Sequence, residues 1–284
     1  MVTRTVAAVA ALCALAAPAS AAHAEDVIRP SRVAAGVTLD PAASSGVMFG
    51  CKRPAVALNG AASGSGAGEL VRSGPRSELR DWDFEFDAAH EQSARAEIRC
   101  IGLRLPRDLR RAVLKVNTVR SGPASLAAGT YRTLRPRCDR GYVPTGYGLE
   151  HEGNLSIGTA VPGAGGWRLR VENRGAAKGR ATLRIRCLKR TVTAFRDGEP
   201  VTLRFAIRHA AFSDSVSDGS SVSHSCRTRE FSLATGVEIE RGPVAPASSR
   251  PSGPRGGRWS FTGAAGTVKA KTYLLCLGLG SRFR

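Results

Sequence analysis

The stretch HAAFSDSVSDGSSVSHSC places His209, Asp214, Asp218, Ser220 and His224 close together in the chain. Serine, histidine and aspartate are the parts of a hydrolytic triad, and two carboxylates beside a histidine could hold a divalent cation. A triad also needs nucleophile, base and orienting acid in line, and closeness within a polar segment supplies no such line. The expectation is therefore a polar loop or hairpin leading into Cys226, with a secreted hydrolase or a metal-binding protein as the alternative. His90 and His151 stand in no zinc spacing, and no Cys-x-x-Cys occurs. The carboxylates of SGPRSELRDWDFEFD hint at a glycosidase acid pair, but alternation turns Asp83, Glu85 and Asp87 outward with no second cluster facing them. NGAASGSGAGE lacks the Gly-Lys-Ser/Thr of a phosphate loop and reads as a flexible connector. No catalytic residue, metal or cofactor is expected, and the chain reads as a non-enzyme.

Basic residues offer a different chemistry. The 284 residues carry 42 Lys and Arg against 23 Asp and Glu, a formal charge of +19. An arginine-rich composition accounts for part of this, so its distribution says more than its total. Residues 25–111 hold 13 basic and 12 acidic side chains, 112–198 hold 16 and 5, and 199–284 hold 12 and 6. Within 112–198, the strands WRLRVE and TLRIRC put Arg168, Arg170, Arg184 and Arg186 on their polar sides, and the connection between them adds Arg174, Lys178 and Arg180. If those strands pair, the side chains share one face. Such a face suits an anionic cell-envelope polymer, or extracellular nucleic acid, through salt-sensitive attraction. Aromatic residues are not interleaved with the arginines, which argues against sequence-specific nucleic-acid recognition. The alternatives are a solvated basic face or a surface protein as partner. The outward acids of the first segment suggest that strands of opposite charge meet between units or between molecules.

Cysteine and tryptophan define the elements that carry these residues. The first 24 residues have Arg4, an apolar run and Ala-x-Ala sites, the layout of a secretory signal peptide, so a secreted or extracellular protein is expected. Its removal takes Cys13 and leaves Cys51, Cys100, Cys138, Cys187, Cys226 and Cys276. Six cysteines allow 15 complete pairings. Separations of 49, 49 and 50 residues select Cys51–Cys100, Cys138–Cys187 and Cys226–Cys276, with linkage across unit borders as the rival. Closing a loop of that length contributes about 4 kcal/mol in the chain-entropy model. Trp82, Trp167 and Trp259, the chain's three tryptophans, fall one between each pair.

WDFEFD, WRLRVE and the strand ending at Cys187 alternate with period two, the pattern of antiparallel strands over a core. The fold class expected is all-β: three tandem small antiparallel sandwich or barrel modules at 25–111, 112–198 and 199–284, with one disulfide in each. Only RDLRRAVLK could form a helical turn or two. Segments 61–75, 158–166 and 242–258 read as variable display loops. No apolar run beyond the signal approaches the length of a membrane span. The frame Cys138, Gly146, Gly166, Trp167, Asn173, Cys187 resembles a tandem module common in exported proteins of GC-rich bacteria. The resemblance implies an extracellular β-module and brings no catalytic residues with it.

Overall fold

Period-two alternation becomes strand nearly throughout. GWRLRVEN, for example, buries Trp167, Leu169, Val171 and Asn173 and leaves the intervening residues half-exposed. The computed structural model describes residues 27–39, 45–64, 69–76, 79–87, 92–239 and 244–280. The signal segment with Cys13, and His90, lie outside the described residues.

The strands come in three sets that pair in the same way. The first set is β1 (Ile28–Leu39), β2 (Ser45–Gly50), β3 (Val56–Gly64), β4 (Glu69–Pro75), β5 (Asp81–Asp87) and β6 (Gln92–Leu103). The second is β7 (Val116–Arg120), β8 (Ala124–Leu126), β9 (Tyr131–Leu134), β10 (Tyr142–Glu152), β11 (Leu155–Gly163), β12 (Gly166–Asn173) and β13 (Gly179–Lys189). The third is β14 (Thr191–Arg196), β15 (Glu199–Ser217), β16 (Ser221–Ser225), β17 (Phe231–Ile239), β18 (Val244–Ser252), β19 (Gly256–Gly263) and β20 (Thr267–Leu279). In the first set β1-β6-β3 forms one sheet and β2-β5-β4 lies in another. The second set repeats this as β7-β13-β10 and β9-β12-β11, and the third as β15-β20-β17 and β16-β19-β18. Inward residues of the two sheets meet, as Trp82, Phe84 and Phe86 do against Ala94, Ala96 and Ile98.

Disulfides Cys51–Cys100, Cys138–Cys187 and Cys226–Cys276 staple sheet to sheet. In each, one cysteine follows the short strand β2, β9 or β16, and the other sits near the end of the long strand β6, β13 or β20.

The sheets do not stop at the repeat borders. Strand β4 lies beside β10, with Arg72 opposite Glu150, and β11 lies beside β17, with Thr159 and Ala160 opposite Glu238 and Val237. Two seven-stranded sheets result, β2-β5-β4-β10-β13-β7 with β8 also on β13, and β14-β15-β20-β17-β11-β12-β9. Glycine makes both junctions possible. A Cβ on Gly148 would fall 2.0 Å from the Ser73 carbonyl oxygen, and one on Gly236 would fall 2.3 Å from that of Ala160. Strands β3, β10 and β17 also approach one another, and Thr145 Oγ1 donates to the Leu58 carbonyl at 3.1 Å. The largest apolar cluster accordingly draws on all three repeats, with Leu58 and Ile101, Val143 and Leu188, and Leu233 and Leu277 among its members.

Three local expectations are corrected. RDLRRAVLK is not helical: a turn at 107–108 leads to an extended path on which Arg110 exchanges backbone bonds with Phe195. The supposed loops at 61–75, 158–166 and 242–258 largely become strand, namely the end of β3 with β4, the end of β11, and β18. Trp259 is not in register with the other two tryptophans. Counted four residues before Cys51, Cys138 and Cys226, the residues Val47, Leu134 and Val222 face Phe84, Leu169 and Trp259. The position of Trp82 and Trp167 thus belongs to Gly257, whose missing side chain leaves the space that the Trp259 ring enters.

Candidate anion-binding surface

Strands β12 and β13 do not pair. β12 lies between β9 and β11, whereas β13 lies between β10 and β7, because the chain crosses from one sheet to the other after Asn173. Arg168 and Arg170 therefore point away from Arg180, Arg184 and Arg186, and the single arginine face expected from the sequence is corrected to two separate groups. Alternation along each strand is right; the partnership between the strands is not.

The β13 group is tied into the first junction. Arg184 Nη2 donates to Glu150 Oε2 at 2.7 Å, and Arg120 reaches the same oxygen at 3.4 Å. Arg186 is fully buried: Nη1 donates to Thr118 Oγ1 at 2.9 Å, and Nη2 to the carbonyls of Asp81 and Arg76 at 3.3 and 3.4 Å. Burial pulls its pKa down to about 10, against the opposing pull of Asp81, so it stays charged at neutral pH. In the same sheet Asp83 pairs with Arg76 and Glu85 with Arg72, each at 3.3 Å. Acidic β5 and basic β13 thus share one sheet with β4 and β10 between them, and their charges are matched locally. A cleft of about 570 Å³ lies over this face, walled by Arg72, Glu85, Arg120, Glu150, Glu152 and Arg180. Lys178 and Arg180 are exposed.

The β12 group is also engaged. Arg168 bonds Glu238 of the third repeat at 2.7 Å, and Tyr273 donates to the other oxygen of that carboxylate at 2.9 Å. Burial raises the Glu238 pKa, but these two hydrogen bonds together with the charges of Arg168 and Lys271 outweigh it and hold the group below the ordinary carboxylate value. Tyr273 is pushed up to about 12, by burial first and Glu238 second. Arg170 pairs with Glu172 at 3.0 Å and covers the Tyr131 ring at 3.8 Å.

Unmatched positive charge lies instead along β9 and the segment after it. Arg132, Arg135, Arg137 and Arg140 are exposed, and none has an ion pair or side-chain hydrogen bond among the described residues. β9 is the free edge of its sheet, so solvent reaches these residues from the side as well as the face. Arg135, Arg137 and Arg168 wall a cleft of about 390 Å³ together with the Gly163–Gly166 turn. The signal for this edge was present in the sequence as RTLRPRCDR, four arginines within nine residues, but no period-two alternation marks it as a strand face.

The histidine segment forms no triad. Asp214 on β15 accepts from His224 Nε2 at 3.0 and 3.1 Å, and Thr272 Oγ1 donates to it at 2.7 Å. The His224 ring stacks on Phe212 with centroids 3.9 Å apart. Ser220 Oγ donates to the Ser217 carbonyl in its own turn, Asp218 accepts from the Gly263 N–H, and His209 Nδ1 meets the Pro162 carbonyl at 3.2 Å. Asp214 and His224 thus share a contact, but Ser220 is held in its own turn and bonds neither histidine. Among the described residues the one group with metal-ligand spacing is Cys226, Glu230 and Cys276, whose sulfurs are bonded to each other.

No protein-family model and no curated protein was found to match the chain.

Proposed function

We propose that this is an exported, non-enzymatic repeat protein of structural or adhesive role, built from three small two-sheet β-modules at 25–111, 112–198 and 199–284. Its second module holds anionic polymers of the cell envelope along the β9 edge. The observation that carries the reading is the contrast in arginine environment: Arg168, Arg170, Arg184 and Arg186 on β12 and β13 have carboxylate, carbonyl or ring partners, while Arg132, Arg135, Arg137 and Arg140 are exposed without one among the described residues. Guanidinium forks spaced along an edge can each take a phosphate or carboxylate bidentately. The signal-like N-terminus and the resemblance of the Cys–Gly–Trp–Asn–Cys frame support export. The hydrolase and metal-binding alternatives gain nothing from the contacts of His209, Ser220 and His224.

The test is retention on a polyanion resin, such as heparin or uronate-rich polymer, across a salt gradient. Replacing Arg132, Arg135, Arg137 and Arg140 by Gln touches no inward residue and should bring elution to lower salt with a flatter salt dependence, because fewer counterions are released. Wild-type retention of that variant would remove the proposal.

A further inference from the structure

The repeat is broken at one position on the axis where the three sets meet. Counted from the residues opposite Cys100, Cys187 and Cys276, Ala61 in β3 corresponds to Gly148 in β10 and Gly236 in β17. Those two glycines lie against a carbonyl of the neighbouring strand, at approaches that no Cβ survives. By the same count the carbonyl awaiting Ala61 is that of Ser249 in β18. β3 and β18 are neighbours, yet among the described residues no backbone ladder joins them. The Ala61 methyl group accounts for this, since it cannot enter the space that glycine leaves open in the other two junctions.

The unclosed junction opens onto a cavity of about 340 Å³ whose walls come from all three repeats. Ala62 deepens it, because the matching residues are the larger Leu149 and Val237. Leu149, Ile157, Val237 and Pro246 supply apolar wall. The Oγ atoms of Ser156 and Ser249, both lining residues, are buried without a hydrogen-bond partner. Tyr147 and His151 also line it, the Tyr147 phenol pushed up to about 12 by burial, and no carboxylate, lysine or arginine is among its described lining residues. Buried hydroxyls without partners are costly unless something bonds them. The volume is at the small end of ligand pockets, about 300 to 1,000 Å³, and suits one sugar ring.

We propose that this axial cavity binds a neutral N-acetylhexosamine, either free or as the end of a glycan chain. The hydroxyls of Ser156 and Ser249 answer those of the sugar, the unpaired edges of β3 and β18 answer its amide, and the aliphatic wall takes its methyl group. The site uses none of the arginines of the polyanion reading.

The experiment is calorimetric titration of the full chain with N-acetylglucosamine, with its trimer as the glycan arm and glucuronic acid as the charged control. Saturable binding of the free sugar or the trimer, with glucuronic acid at least tenfold weaker, is expected; binding of the trimer alone assigns the site to glycan ends. Ala62→Leu fills the cavity, and Ala61→Gly lets β3 and β18 close. Each should weaken binding at least tenfold without lowering Tm, and Ala62→Leu should leave polyanion retention unchanged. Failure of both sugars to bind, glucuronic acid binding equally well, or full binding by both variants would overturn the assignment.

Discussion

Ser73 and Ser249 occupy the same place in their repeats and do different things. Ser73 Oγ accepts the indole N–H of buried Trp82 at 3.1 Å, while Trp259, displaced in register, gives its N–H to the Gly236 carbonyl at 2.8 Å and leaves Ser249 without that partner. Ser73→Ala strands a buried donor and should cost about 1–3 kcal/mol in urea unfolding, whereas Ser249→Ala should stay within about 0.5 kcal/mol of wild type. Arg186 makes the same point about charge. Alternation marks it as outward, and it is outward from its own sheet layer, but the residues beyond it belong to the first repeat. Arg186→Gln removes a buried guanidinium that serves three acceptors and should destabilise the fold by about 2–4 kcal/mol. At His209 burial lowers the pKa below the ordinary 6.5, with the Pro162 carbonyl opposing and Arg190 assisting. The unfolded chain therefore takes up that proton first as pH falls through about 6.5, and stability drops there. His209→Gln should remove this part of the pH dependence between pH 7 and 5, as thermal melts would record.

At the scale of elements, the cysteine spacings and the alternating strands were legible because both are local: disulfides need a repeat length, and strands need a period of two. The bonds join the cysteines that the spacing selects. Strands β4, β11 and β18 were not legible as such. Each is interrupted by a bulge, at Leu70/Arg72, Ile157/Thr159 and Pro246/Ser248, and each is rich in Gly, Pro, Ser or Ala, so the period slips and the composition reads as loop. They are nonetheless the strands that face the next repeat. Their glycine partners give a sharp prediction. Gly148→Ala or Gly236→Ala must push a neighbouring backbone aside and should cost about 2 kcal/mol or more, while the matching Ala61→Gly should be neutral or stabilising despite its greater chain entropy. Equal losses at all three positions would mean that glycine serves some other purpose there.

For the whole molecule, the basic surface and the axial cavity both depend on how the repeats sit together. Arg168 reaches an acid of the third repeat, Arg186 reaches carbonyls of the first, and a shared apolar cluster runs through all three. None of this follows from a repeat period, which fixes what each unit contains and leaves open whether units hang in a row or close on one another. The guanidinium of Arg99 on the carbonyl of Gly253 ties the first repeat to the third, as only a closed arrangement permits. Small-angle X-ray scattering of the chain in dilute solution measures this directly. Repeats closed about one axis should give a radius of gyration of about 18 Å, the value for a single compact body of this length, whereas three such units in a row would give about 26 Å. A value near the larger figure would contradict the shared sheets, and with them the junction glycines, the buried Arg186 and the axial cavity.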